Sequence, residues 1–380
     1  GVTQSCFGME CNLNQLAKLV GISPWEIRWR NAIRPGQTLP NGQIADETTA
    51  LAETLLAVRP YFDANPAAGI ACAMKNSGLG VGVPDVGRAR LVIRGGRVLL
   101  YSSAACIGQG MGTVQLQMAS QASGLGPAWF RYEAPDTDLA PNAGNTTASR
   151  QTVFTGEAVK RAAEKLSAAL CRELAGPAGT AGAGRGLGKA AAPGADPAVA
   201  GVSGGAAYIA GRCAAEIAAA LARLEGSEYL GEFSFATDPL GSEKPHPVSH
   251  VAYGYATHLA ELTGEGRVKR VIAAHDVGRV VNPKCLSGQI EGGVVMSLGY
   301  ALTEDYPLED CRPKAKFGTL GLFRAPDTPE VEALAVGISQ EELAFGAKGV
   351  GEICSIPTPP AVQLAYYHRD GVFRTKLPLE

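Results

Sequence analysis

The chain has 380 residues, 46% hydrophobic and 18% charged, with a formal net charge of −2. That is enough material for two domains with buried cores, and the near-neutral charge, with no basic block interleaved with aromatics, argues against a nucleic-acid partner. No apolar run reaches the roughly eighteen residues that a membrane helix needs.

The opening Gly1-Val2-Thr3-Gln4-Ser5 lacks the charged and apolar regions of a signal peptide, so a cytoplasmic location is the expectation. The nine cysteines include no C-x2-C pair, which excludes zinc-ribbon and ferredoxin patterns. An odd number without close pairs points to reduced thiols, most of them small core residues.

Residues 12–32 carry a helical period through Leu13, Leu16, Leu19 and Val20, and Ser23-Pro24 starts a fresh helix with proline at its first position. Residues 46–62 predict another helix, with Asp46 as its cap. Residues 66–103 alternate apolar and polar around Arg94-Gly95-Gly96, the pattern of a β-hairpin. A glycine turn, IGQGMGT, then leads into an amphipathic helix. Residues 175–207 are Ala, Gly and Pro with almost no large side chains, and read as a flexible insertion between two halves, 1–174 and 208–380.

The second half partly repeats the first. Residues 248–278 read as strand, turn and strand, and NPKCLSGQIEGG reads as a second glycine turn before a helix. Gly108-Gln109 and Gly288-Gln289 would then occupy similar places in a weak internal duplication. The fold class is α+β, with mixed sheets and helices in two comparable halves.

Four segments carry the chemistry. GQGMGT (108–113) opens a helix, whose free N–H groups suit an anion. The polar stretch 136–159 is dense in donors from Asn145 to Gln151; it suits either a solvated, capped loop or a donor shell for a large polar ligand. GQIEGG (288–293) offers Gln289 near a predicted helix start. GAKGVGE (346–352) spends three glycines to present one carboxylate, Glu352, upstream of a helix whose dipole favours it by about 0.3–1 kcal/mol.

Other signals carry less. GLGVGVPDVG (78–87) precedes a hairpin rather than a helix, so it is not a dinucleotide loop. His246 and His250 are separated by Pro247 and lack a third ligand, so no metal site is predicted there. Asn145-Thr146-Thr147 is a formal glycosylation sequon only, and Cys6-x4-Cys11 lacks the next cysteine of a plant-type cluster.

Together and in order, the opening residues 1–37, GQGMGT, TTASRQTVFTGEAV, DVGRVVNPKCLSGQIEGG, LGLFRAPDTPEVE and GAKGVGE resemble the molybdenum-cofactor domain of the xanthine dehydrogenase/aldehyde oxidase family. Nearly the whole chain is covered, apart from the insertion. The wording is most similar to selenium-dependent xanthine dehydrogenases, with the medium molybdopterin subunit of nicotinate dehydrogenase as the rival.

The resemblance implies the C-terminal half of that domain, either a fragment or one piece of a split chain, docked on an N-terminal half that carries a G-G-x-F-G-G-type loop. It implies molybdopterin, as such or as the cytidine dinucleotide, with or without labile selenium, and Fe–S and FAD centres on partner domains or subunits. Gly108, Gln109, Gly110 and Met111 would approach the molybdopterin; Thr147, Ala148, Ser149, Arg150 and Gln151 would hold its phosphates and any cytidine extension. Gln289 would contact the pterin, and Lys348, Gly349, Val350 and Gly351 would bring backbone against the cofactor. Glu352, expected to be buried, would be the catalytic base in hydroxylation of an electron-poor ring carbon with oxygen from water. The implied substrate is a purine, with nicotinate, another N-heterocycle or an aldehyde as alternatives and a non-catalytic scaffold as a further one. In purine-oxidising members an aromatic side chain helps sandwich the ring from the region matching 78–84, and here Gly78 to Val83 offer none.

Overall fold

The structure is a computed structural model that describes residues 1–175, 204–316, 318–337 and 343–379. The expected insertion at 175–207 lies outside these residues except at its edges, where Gly204 opens a helix.

In chain order the elements are α1 (Val2–Val20), α2 (Pro24–Asn31), α3 (Leu51–Ala64), β1 (Gly69–Ser77), β2 (Val86–Arg94), β3 (Arg97–Tyr101), α4 (Met111–Ser123) and β4 (Phe130–Tyr132). They continue with α5 (Gln151–Ala175), α6 (Gly204–Ala210), α7 (Ala214–Arg223), β5 (Glu228–Ser234), β6 (Ala252–Leu262) and β7 (Val268–Asp276). The last are α8 (Pro283–Leu302), β8 (Leu308–Glu309), β9 (Arg312–Pro313), β10 (Glu330–Val336) and α9 (Thr358–Asp370). This is the mixed α+β class expected from the sequence. The chain forms two compact units: the first holds Gly1–Gly82, Thr237–Gln340 and Lys348–Glu380, the second Val83–Ala236 and Glu341–Ala347.

The first unit is built on a four-stranded sheet in the order β1-β6-β7-β10, antiparallel except where β10 runs parallel to β7. Successive side chains of a strand point to opposite faces, and both faces here are covered. Val271 and Ala273 of β7 join Ile290, Val294 and Leu298 of α8 on one side. Ile272 and Ala274 join Leu55 and Val58 of α3 and Trp25 of α2 on the other. That double burial is why β6 and β7 read as nearly continuous apolar runs rather than as clean alternation. Each fully buried Leu or Val contributes about 1.5–3 kcal/mol relative to exposure.

The second unit carries the sheet β4-β3-β2-β5. Arg94 pairs with Arg97 across Gly95-Gly96, both at positive φ (60° and 69°), so the predicted hairpin turn is the two-residue kind that suits strand twist. Helix α5 lies directly on β2 and β5. A side chain on Gly87 or Gly231 would collide with its backbone at Phe154 or Ala158, so these two strand glycines set the helix-to-sheet distance.

Three local expectations are corrected. Helix α1 starts at Val2, ten residues before the visible period, because Phe7 and Cys11 also bury into the core. Asp46 does not cap α3, which begins at Leu51; its carboxylate instead accepts from Thr48 N and Oγ1 (2.8 and 2.6 Å), closing a turn. Helix α8 starts at Pro283, where Asn282 Oδ1 accepts from Cys285 N at 2.9 Å. Gly288-Gln289 therefore lies inside a helix while Gly108-Gln109 lies in a turn, and the proposed duplication of these two sites does not hold. All nine cysteines are free thiols, and among the described residues no helix is long and apolar enough to cross a membrane.

The core of the first unit contains a polar pair that the sequence did not announce. His258 on β6 and His275 on β7 are fully buried, with their Nε2 atoms 2.8 Å apart, and His258 Nδ1 sits 2.8 Å from Thr358 Oγ1 on α9. One ring must donate and the other accept, so at least the accepting ring is neutral. Burial pushes both pKa values down, His275 to about 3 and His258 well below its ordinary value, the latter helped by its neighbour. In the unfolded chain each ring takes up a proton near its ordinary value of about 6.5. Below that pH the unfolded state binds more protons than the folded one, so stability is present above about pH 6.5 and is lost as pH falls. Each ring can contribute a slope of up to about 1.4 kcal/mol per pH unit. Urea unfolding between pH 7 and 4.5 should show this fall, and the His258→Gln/His275→Gln double variant should flatten it; an unchanged slope would exclude the pair as its source.

Candidate functional site

In the first unit, the residues from Lys348 to Gly351 are anchored one after another. Lys348 N donates to Val277 O (3.0 Å), and its buried ammonium donates to Thr48 O (2.7 Å) and Asp276 Oδ2 (2.6 Å). Desolvation pushes Asp276 up to about 6, opposed by the Lys348 charge. Gly349 N donates to Ser77 Oγ at the end of β1 (3.2 Å). Val350 packs against the core, and its carbonyl accepts from Cys354 Sγ (2.9 Å). Gly351 O accepts from Gln289 Nε2 on α8 (3.0 Å). Gln289 and the glycine loop are thus brought together by a direct bond.

Glu352 follows, at the start of a short 3-10 turn, Ile353–Ser355, that separates it from α9. One expectation changes here. Glu352 is not buried: its side chain is 42% exposed and its Oε2 pairs with Lys75 Nζ at 2.9 Å. Sequence reasoning missed Lys75. The available signal was a lone charge in the otherwise uncharged strand GIACAMKNS.

The two histidines passed over in the sequence make separate contacts. His246 Nδ1 lies 3.4 Å from Gly42 O, and His250 Nδ1 lies 2.9 Å from Tyr253 OH. Burial, and then the charge of Lys75, lowers the pKa of His250.

In the second unit, Gly110 stands at the N-cap of α4 in the left-handed region (φ 78°) and offers no side chain to the helix end. Gln109 folds the turn on itself: its Oε1 accepts from Ile107 N (2.6 Å) and its Nε2 donates to Ala105 O (3.1 Å). Met111 is buried with Ala104 and Ala143. Cys106 is exposed; burial of its sulfur raises the thiol pKa, but N–H groups of Gly108, Met111, Gly110 and Gly112 outweigh that and lower it.

Residues 147–151 enter α5 through two non-glycine residues at positive φ, Ala148 and Ser149 (both 49°), a conformation that costs of order 1–3 kcal/mol each. Arg150 holds them there. Its guanidinium is almost fully buried and donates to Asp85 Oδ1 (2.6 Å), Ala143 O (2.7 Å), Asn145 O (3.0 Å) and Val86 O (2.6 Å). Gln151 Nε2 donates to Gly144 O (3.3 Å), Asn145 O (3.1 Å) and Thr146 Oγ1 (3.3 Å). Both side chains therefore build the loop from within, and the exposed surface belongs to Asn145 and Thr147.

Each unit, taken by itself, offers features that suit a bulky or anionic group. The starts of α4 and α5 present N–H groups that a helix cannot satisfy internally. Among the described residues nothing lies within 4 Å of where a Cβ would sit on Gly108, or on Gly288 and Gly292, which flank Gln289 on an exposed stretch of α8. Packing among the described residues does not require glycine at Gly288 or Gly292, where it costs about 1 kcal/mol against alanine.

The molybdopterin cofactor-binding domain family matches residues 62–329. The chain belongs to that family. It is 27% identical to an aldehyde oxidoreductase from Megalodesulfovibrio gigas, covering 100% of this chain and 40% of that protein. It is also 27% identical to a xanthine dehydrogenase molybdenum-binding subunit from Escherichia coli O157:H7, covering 100% of this chain and 51% of that one. The crystal structure of the aldehyde oxidoreductase from Desulfovibrio desulfuricans superimposes with a TM-score of 0.76 at 26% identity, over 97% of this chain and 38% of that one. The chain therefore spans about half or less of the length of these relatives.

Within this molybdopterin-binding fold the Arg150–Asp85 pair is open to test. Removing one partner of a buried ion pair leaves the other charge uncompensated, at a cost of about 3–5 kcal/mol. Arg150→Met should lower the urea-unfolding free energy by that amount; a loss below about 1 kcal/mol would place the pair among weak surface interactions.

Proposed function

We propose that this chain is the molybdopterin-binding portion of a molybdenum hydroxylase that oxidises a purine-like N-heterocycle with oxygen from water. The observation that carries the reading is Glu352: a half-exposed carboxylate at the end of a loop whose preceding residues are each tied to the fold. A scaffold that only bound a cofactor would need the glycines but not the acid.

Bound molybdopterin would supply the molybdenum centre that accepts two electrons from the substrate. In the second unit, Gly108, Gln109, Gly110 and Met111 let backbone approach the cofactor, and Thr147, Ala148, Ser149, Arg150 and Gln151 form the donor shell for its phosphates, with Arg150 and Gln151 acting through the loop they fold. In the first unit, Gln289 faces the pterin, Lys348, Gly349, Val350 and Gly351 lay backbone beside it, and Glu352 takes the proton of the attacking oxygen. Fe–S and flavin centres, the N-terminal half of the molybdenum domain, labile selenium and a cytoplasmic setting belong to the same reading. Nicotinate, another N-heterocycle or an aldehyde is the second reading, because Gly78 to Val83 offer no aromatic side chain to sandwich a purine.

General base catalysis is typically worth about 10²–10⁴-fold. Glu352→Gln in the assembly purified with its native partner chains should lower kcat by that range while molybdenum content stays unchanged; near-normal turnover in a metal-replete variant would refute the assignment. Elemental analysis of the same assembly should find molybdenum, and co-purifying selenium would support the selenium-dependent branch. An intact assembly from a molybdenum-fed host that contained none would point to the scaffold.

A further inference from the structure

We infer that Lys75 is a positioning residue for Glu352, an assignment that rests on the reading of Glu352 as the base. Lys75 is the one charged residue of β1, with a side chain only 11% exposed. An ammonium has three donors, and three acceptors surround this one: Glu352 Oε2 at 2.9 Å, Asn76 Oδ1 at 2.8 Å and Asn76 O at 3.3 Å. Asn76 is itself oriented, because its Nδ2 donates to Gly78 O at 2.7 Å.

The strand gives this cation a fixed origin. Lys75 pairs in register with Gly254 of β6, a central strand buried on both faces. Glu352, by contrast, sits in a turn, and a half-exposed glutamate left to itself samples several rotamers. A bond from a strand-anchored ammonium to Oε2 holds that oxygen in place and narrows the directions in which the other can point. Stability does not explain the arrangement, since a pair with one partner half in water adds little, whereas holding a lysine mostly out of water has a cost. What the pair supplies is orientation of the group that must meet a proton.

The test uses the native assembly with Lys75→Met, Lys75→Arg, Glu352→Gln and the Lys75→Met/Glu352→Gln double variant, each assayed for molybdenum, for kcat, and for modification of residue 75 by an amine-specific reagent where it is lysine. Misplacement of a catalytic group can cost about 10²-fold, so Lys75→Met should lower kcat by about that factor with molybdenum retained, and Lys75→Arg should recover most of it. The double variant should be no slower than Glu352→Gln alone, because a positioning residue has no effect once its target is gone. Lys75 should be labelled faster in Glu352→Gln than in the wild type. If Lys75→Met slows the Glu352→Gln enzyme by the same factor as the wild type, or if both Lys75 variants lose molybdenum, the positioning role is overturned while the base assignment stands. Normal turnover of Glu352→Gln overturns the base assignment and this proposal with it.

Discussion

Lys348 carries a full positive charge into the first unit and meets Asp276 at 2.6 Å, both side chains almost inaccessible to water. The loop that ends at Glu352 can follow few other paths while that contact is made. A buried ion pair is a poor source of net stability, because desolvating two charges offsets most of their attraction, but losing one partner is severe. The pair therefore selects a geometry more than it stabilises a fold. Burial raises Asp276 and the lysine pulls it back, so the carboxylate depends on the lysine to stay charged near neutral pH. With Lys348 fixed at both its backbone and its ammonium, Gly349 falls under Ser77 and Gly351 falls beside Gln289.

The second unit uses the same device. Ala148 and Ser149 hold a left-handed backbone that costs energy at non-glycine residues, and the buried Arg150 guanidinium offsets it through Asp85 and three backbone carbonyls. In both units a buried charge shapes the backbone around it. This accounts for the otherwise odd presence of Arg150, Asp85, Lys348 and Asp276 among the buried residues of a chain with modest overall charge.

What was legible in the sequence follows from how local each signal is. Gly95-Gly96 and Ser23-Pro24 specify their turn and cap by backbone preference alone, and both are found where expected. The glycine turn before α4 is of the same kind. Gln289 was misplaced because Asn282-Pro283, several residues earlier, is a stronger start signal than a glycine, and the helix simply runs through Gly288. Asp46 lost its role as cap because Thr48 offered it closer donors. The partners of Lys75 and of the His258–His275 pair could not be read from local signals. They are remote in the chain, with Glu352 far downstream of Lys75 and Thr358 100 residues from His258, and only the β1-β6-β7 pairing brings them together. The family motifs, in contrast, were visible because each is a short contiguous run, rich in glycine, that can be read without its tertiary neighbours.

The three glycines of GAKGVGE can now be set against the rigidity around them. A glycine-rich loop is flexible only if nothing ties it, and here Gly349 and Gly351 are each bonded to a different element, β1 and α8. On the other side of Glu352, Ile353 and Cys354 are buried in the core of the first unit, and Cys354 lies so close to Gly293 of α8 that any side chain there would collide with it. The backbone of Glu352 is therefore fixed from both directions, by hydrogen bonds upstream and by packing downstream. The glycines do not loosen the loop here, because these bonds hold it. What the backbone leaves undetermined at this position is the side-chain torsions of Glu352, and the ammonium of Lys75 restrains those. From the sheet outward, each layer removes one kind of motion, until the last group to be placed is the single carboxylate of Glu352.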